Sequence, residues 1–140
     1  MFSCCSVKSL YCPAEPVKLK DHMFKVKVRL YSVYDGDTIW VCYYDKNHRK
    51  VLRVSCRMNG YDAPEMKPPK SDANRAATIV RANMAKDIAR QHFTCEEFTI
   101  NVIGLDKYGR WLVEDEILKN KLLDADLAYE YHGGTKQVSH

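Results

Sequence analysis

A period of two, sustained from Phe24 to Leu30, restricts this chain more than any other feature. Phe24, Val26, Val28 and Leu30 alternate with Lys25, Lys27 and Arg29. In a strand successive side chains point to opposite faces, so this pattern reads as a half-buried strand with a basic outer face. The run leads into "VYDGDTIWV", residues 33–41. An Asp-Gly pair between alternating apolar residues is a strong hairpin signal, and the expectation is that Gly36 takes the positive φ of a primed turn. The turn accounts for Asp35 and Gly36 but does not require Asp37.

Thr38–Tyr44 reads as the second strand. The polar "DKNHRK" turns the chain into a third, Val51–Met58, which completes an antiparallel meander. The period then changes. Pro64, Pro68 and Pro69 interrupt regular structure, and Ser71 or Asp72 is positioned to cap a helix. Ala73, Ala76, Ala77, Val80, Met84 and Ile88 recur every three or four residues, which predicts their burial as one stripe with Met84 as core filler. Phe98–Val102 and Trp111–Val113 read as strands around the loop "GLDKYGRW", and Ile117–Ala125 as a second helix. The order β-β-β-α-β-β-α predicts an α+β, mainly β fold: a five-stranded Greek-key barrel of the OB type with two packed helices. Residues 1–21, with Pro13 and Pro16 and no sustained period, read as an irregular extension. Residues 22–132 read as the domain and 133–140 as a tail.

The 140 residues suffice for one core, and a net charge of +4 with a pI near 8.7 suits a polyanionic partner without requiring one. No apolar run has the length of a membrane span, and the first residues lack the apolar core of a signal peptide, so the sequence reads as intracellular. The six cysteines form no CxxC pair, which favours reduced thiols over a disulfide framework or a zinc site. The five histidines are scattered and suggest no ligand cluster.

The chemistry gathers at strand ends. A hard divalent cation takes oxygen ligands, and Asp37 and Asp62, on neighbouring strand ends, supply two carboxylates. Hydrolysis of a phosphodiester requires an oriented or activated water and neutralisation of the phosphate oxygens. Glu65 is suited to position the water. Arg57 and Arg110 are suited to hold phosphate, because the guanidinium fork engages two oxygens and stays charged. Taken singly these residues have plainer readings: Arg57 as a surface strand residue, Glu65 as a loop carboxylate, Arg110 as a partner for Asp106 in the same turn.

Three ordered motifs, "DGDT", then Arg57-x4-Asp62-x-Pro64-Glu65, then "DKYGR", make residues 24–127 resemble the staphylococcal-nuclease family. That resemblance implies an OB-fold barrel that cleaves DNA and RNA with calcium. It implies catalytic roles for Arg57, Glu65 and Arg110, and metal ligation by Asp37, Asp62 and the main-chain carbonyl of Ala63, where bacterial relatives carry threonine. Asp35 and Thr38 match supporting positions of that metal site. Tyr108, with Lys107 beside it, resembles the phosphate-contacting segment, and Tyr129 and Tyr131 are alternative counterparts of a base-stacking tyrosine. The linker after Glu65 is shorter than in bacterial relatives, and the family's last helix is absent.

The expectation is therefore a metal-dependent nuclease, with calcium or magnesium, acting on DNA, RNA or both with little sequence specificity and with no obligate protein partner implied. The rival expectation is a catalytically weak or inactive OB module that binds single strands or protein. The basic face of Lys25, Lys27 and Arg29 reads first as a solvated face, and Trp40, Tyr43 and Tyr44 as core or strand-surface aromatics.

Overall fold

The computed structural model describes residues 18, 22–94 and 96–131. The extension through residue 21, apart from Lys18, and the tail from residue 132 lie outside the described residues, as do Cys4, Cys5, Cys12 and Cys95. Five strands close a mainly β barrel: β1 (Phe24–Asp35), β2 (Thr38–Asp45), β3 (Lys50–Met58), β5 (Phe98–Leu105) and β6 (Trp111–Glu114). Two-residue strands β4 (Tyr61–Asp62) and β7 (Tyr129–Glu130), which the sequence did not suggest, pair with each other outside the barrel. Helix α1 spans Arg75–His92 and α2 spans Glu116–Asp124. The architecture is OB-like, as the order of elements predicts.

Closure depends on the length of β1. Its first half, Phe24 to Val28, pairs antiparallel with β5, while its second half, from Arg29 to Asp35, pairs with β2. Register shifts between Leu30 and Ser32 and between Val33 and Asp35 bend it from one partner to the other, the usual work of bulges. β3 pairs parallel with β6, and β6 antiparallel with β5, which completes the ring. The alternation read in the sequence survives as far as Leu30. Beyond the first bulge, Val33 and Asp35 carry the inward face.

Inside the ring, Val28, Ile39, Val41, Cys56, Met58, Ile100, Val102 and Val113 are buried, with Leu118 and Leu122 of α2 packed on them. Asp115 caps α2 by accepting a hydrogen bond from the Leu118 amide at 3.0 Å. Among the described residues the cysteines Cys42 and Cys56 are free thiols. Burial pushes the Cys56 thiol up to about 12.

Three expectations are corrected by the fold. First, the buried stripe of α1 is Thr78, Ala82, Ala85 and Ala89, whereas Ala73, Ala76 and Ala77 are exposed, Val80 is 59% exposed and Met84 52%. Ile88 alone of the predicted stripe packs against the core. The helix approaches the β1–β2 turn so closely that only small side chains fit between them, and proximity outweighs hydrophobicity in choosing the face. Second, Asn74 is the N-cap and makes no side-chain capping bond, so neither Ser71 nor Asp72 caps the helix. Asp72 instead accepts from the Asn74 amide at 2.8 Å, which folds the preceding loop. Third, Gly36 is not in the left-handed region; among the described residues the glycines with positive φ are Gly60, Gly104 and Gly109. A Cβ at Gly36 would lie 2.7 Å from the Ala63 Cβ and 2.9 Å from the Ala85 Cβ. The glycine is needed for space, where turn, loop and helix meet, and not for conformation.

Candidate active site

The β1–β2 turn builds the first wall. The Asp35 carboxylate accepts a hydrogen bond from the Asp37 amide at 3.1 Å, an Asx turn that aims Asp37 toward β3. Asp37 is then fixed from two further sides: the Thr38 hydroxyl donates to it at 3.0 Å and the Ala63 amide at 2.8 Å. Tyr61, buried beneath, donates its hydroxyl to the Gly36 carbonyl at 2.6 Å. The turn is therefore tied to the β4 segment by one side-chain bond in each direction.

Arg57, at the end of β3 opposite Thr38, lies between the carboxylates. Its guanidinium pairs with Asp62 and stands 3.4 Å from the Asp37 carboxylate. It also donates to the carbonyls of Met58 at 2.8 Å and Tyr61 at 3.1 Å. Asp62 is 2% exposed and Asp37 4%. Two nearly dry carboxylates converge on one guanidinium, and removing either partner would be costly because it leaves a buried charge uncompensated. Asp35 has the opposite problem. Burial, then the negative charge of Asp37, push it up to about 7. Burial also drives the Tyr61 hydroxyl well above its ordinary value, so it serves as a donor.

The second wall is the β5–β6 loop. The Asp106 carboxylate accepts from the amides of Tyr108 at 2.9 Å and Arg110 at 2.8 Å, and from Nε of Arg110 at 2.6 Å. Although burial opposes it, these donors and the arginine charge hold the Asp106 carboxyl below its usual range. Gly109, with φ of 82°, takes the left-handed position of this turn. Tyr108 is 73% exposed, and the cations of Lys107 and Arg110 stand 5.1 and 5.7 Å from its ring centre. The intraloop partner considered for Arg110 in the sequence is thus present, and it engages Nε.

Between the walls lies a cleft of about 920 Å³. Asp35, Asp37, Thr38, Arg57 and Asp62 line one side, and Lys107, Tyr108 and Arg110 the other. Glu65, exposed on the segment after β4, and Tyr131, just after β7, complete the set read from the sequence. Two of the sequence-picked residues do not line it. Ala63 is buried and meets Asp37 through its amide, and Tyr129 pairs with Asp62 in the β4–β7 ladder. That ladder, with the Tyr131 amide donating to the Gly60 carbonyl at 3.0 Å, anchors the segment carrying Asp62.

Sequence reasoning missed Tyr34, Met66, Lys67 and Leu112, which also line the cleft, and the Tyr61 hydroxyl bond beneath it. Tyr34 precedes the "DGDT" turn, and the alternation from Phe24 would have turned it inward; the bulge between Leu30 and Ser32 reverses its face. For Lys67, in the proline-rich linker, no periodic signal exists.

Among the described residues, no group of three or more His, Cys, Asp or Glu side chains is arranged to hold a metal by itself. The donor chemistry nonetheless fits a hard cation in part: Asp37 and Asp62 already converge on one positive group, and every candidate ligand is oxygen. No protein-family model matches the chain, and no curated protein matches it significantly.

Proposed function

We propose that the chain is a metal-dependent nuclease that hydrolyses phosphodiester bonds of DNA, RNA or both with little sequence specificity, as the resemblance to staphylococcal nuclease implies. One observation carries the reading. Three separate stretches, the β1–β2 turn, the β3–β4 segment through Glu65 and the β5–β6 loop, bring carboxylates and two arginines to one cleft.

In this reading Arg57 and Arg110 bind the scissile phosphate from opposite walls, where a planar fork engages two oxygens and offsets charge that grows toward the transition state. Glu65 orients the attacking water and takes its proton. Asp37 and Asp62, with the Ala63 carbonyl, would hold calcium or magnesium, and Asp35 and Thr38 keep Asp37 in place. A bound cation supplies charge stabilisation at the phosphate and acidifies coordinated water. Tyr108 and Lys107 bind the flanking phosphate, and Tyr131 offers a face for a base.

The rival, a module that binds strands without cleaving them, is favoured by the state of the arginines: Arg57 is engaged by Asp62 and Asp37, and Arg110 by Asp106. One assay decides. Plasmid and single-stranded oligonucleotide are incubated with the chain in calcium, magnesium or excess chelator. Cleavage that needs the cation and falls about 10²-fold or more in Glu65→Gln, with binding retained, supports the nuclease. Binding without turnover in either cation supports the rival, and undiminished cleavage in chelator removes the metal assignment.

A further inference from the structure

The outer face of the β1–β3 meander carries a cluster that the cleft does not use. The first bulge of β1 leaves both Tyr31 and Ser32 exposed, with Ser32 opposite Trp40 on β2. Arg53 lies on β3, one outward position farther from the cleft than the Trp40–Ser55 pair. Its guanidinium carbon stands 4.8 Å from the ring centre of Tyr31 and 5.4 Å from that of Trp40. Tyr31 is 57% exposed, so its ring presents area to solvent while one cation is already held against it. Arg29 occupies the same outer row, opposite Cys42, which in turn faces Arg53. Its pairing with Glu96 at 3.2 Å involves two exposed side chains and contributes little.

The strand register joins this cluster to the cleft. Thr38 and Arg57 are paired at the cleft end, Trp40 and Ser55 next, then Cys42 and Arg53. Four residues of strand separate the first row from the third, roughly 13 Å at about 3.3 Å per residue. Tyr34, on the exposed edge of β1, lines the cleft itself.

We propose that this face is a second subsite for single-stranded nucleic acid, on which bases stack against Tyr31 and Trp40 and phosphates meet Arg53 and Arg29, so that a strand held in the cleft continues along the meander. The inference rests on reading the cleft as a nucleic-acid site and extends its substrate beyond the scissile phosphate. Cations interleaved with an exposed ring at Tyr31 and a half-buried one at Trp40 suit a strand whose bases are free to stack, because stacking tolerates any sequence and the charge follows the backbone. A duplex hides its base faces and gains from the charges alone.

The test is binding by the full chain in excess chelator, which stops turnover, read by anisotropy of labelled oligothymidylates of about four and about twelve nucleotides, spanning the site sizes usual for such folds. The unaltered chain should bind the longer strand more tightly. Tyr31→Ala and Arg53→Ala should each remove most of that gain, roughly 5- to 150-fold for one lost stacking partner. Tyr31→Phe keeps the ring and should keep the gain. Arg90→Ala, which removes an exposed arginine from α1, controls for net charge. Circular dichroism confirms folding, and quenching of tryptophan emission by unlabelled strand, lost in Trp40→Phe, reports the contact independently. The subsite is overturned if length brings no gain, if Tyr31→Ala and Arg53→Ala keep it, if Arg90→Ala loses as much, or if a duplex of equal length binds as tightly. Loss of the gain in a chain that never cleaves sinks the nuclease and leaves the subsite standing. Cleavage with the gain intact in both alanine variants does the reverse.

Discussion

Ile39 and Asp37 stand two residues apart at the start of β2, 0% and 4% exposed, yet they belong to regions held together by opposite means. Ile39 faces the barrel interior, where Val41, Cys56, Met58 and Val113 offer apolar contact from several directions. Asp37 faces the cleft wall, where each oxygen is fixed by a named donor: the Thr38 hydroxyl, the Ala63 amide, the Arg57 guanidinium. Interior packing is non-directional, and the loss of one methylene costs its transfer free energy plus whatever cavity the neighbours leave unfilled. The wall depends on single atoms, and removing one leaves a buried charge or carbonyl unmatched. The same burial thus gives tolerance in one region and brittleness in the other.

The largest break in that comparison should come from Arg57→Ala. Without the guanidinium, Asp37 and Asp62 are nearly dry carboxylates facing each other, and the cost expected for removing one partner of a buried pair is about 3–5 kcal/mol. Urea unfolding measures it. Calcium added to this variant should recover part of the loss if the two carboxylates accept a cation. A cost below about 1 kcal/mol would mean that the wall is not held by charge.

Gly36→Ala comes next. The added methyl would have to displace Ala63 and Ala85, one on the loop beneath Asp37 and one on the helix, for an overpacking cost of about 1–3 kcal/mol. Pairing it with Ala85→Gly sharpens the test, because relief of the helix contact should return stability beyond what glycine costs in a helix only if that contact is the obstacle.

Inside the barrel, Ile39→Val should cost less, about 0.5–1.5 kcal/mol, with the slope of the unfolding transition unchanged. A loss equal to that of Arg57→Ala would erase the distinction between the regions.

The smallest effect concerns reactivity. Because burial raises the Cys56 thiol to about 12, it stays protonated at pH 8, whereas the unfolded chain ionises it near its ordinary value. Peptide mapping after brief treatment with a thiol reagent should find Cys56 unlabelled in the native chain and labelled in urea. Rapid native labelling would show that the interior opens far more readily than its packing implies.

The sequence alone determined the features that depend on neighbours along the chain. Period-two alternation marked the meander, the motifs from Asp35 to Arg110 named the residues that gather at the cleft, and the order of elements pointed to the barrel. Local periodicity and turn chemistry are properties of a short segment, and they survive folding. The tertiary structure decided everything that depends on what a segment meets. Hydrophobicity chose Val80 and Met84 for burial on α1, but the face that is buried carries Ala82, Ala85 and Ala89, with Ala85 set close against Gly36. The Asp-Gly pair suggested a conformational role for Gly36, while Ala63, distant in sequence, made that role one of space. The β4–β7 ladder, too short to carry a periodic signal, exists because β3 and α2 bring Tyr61 opposite Glu130 and Asp62 opposite Tyr129. Side-chain pairing across such distances is set by the closed barrel, and no window of sequence contains it.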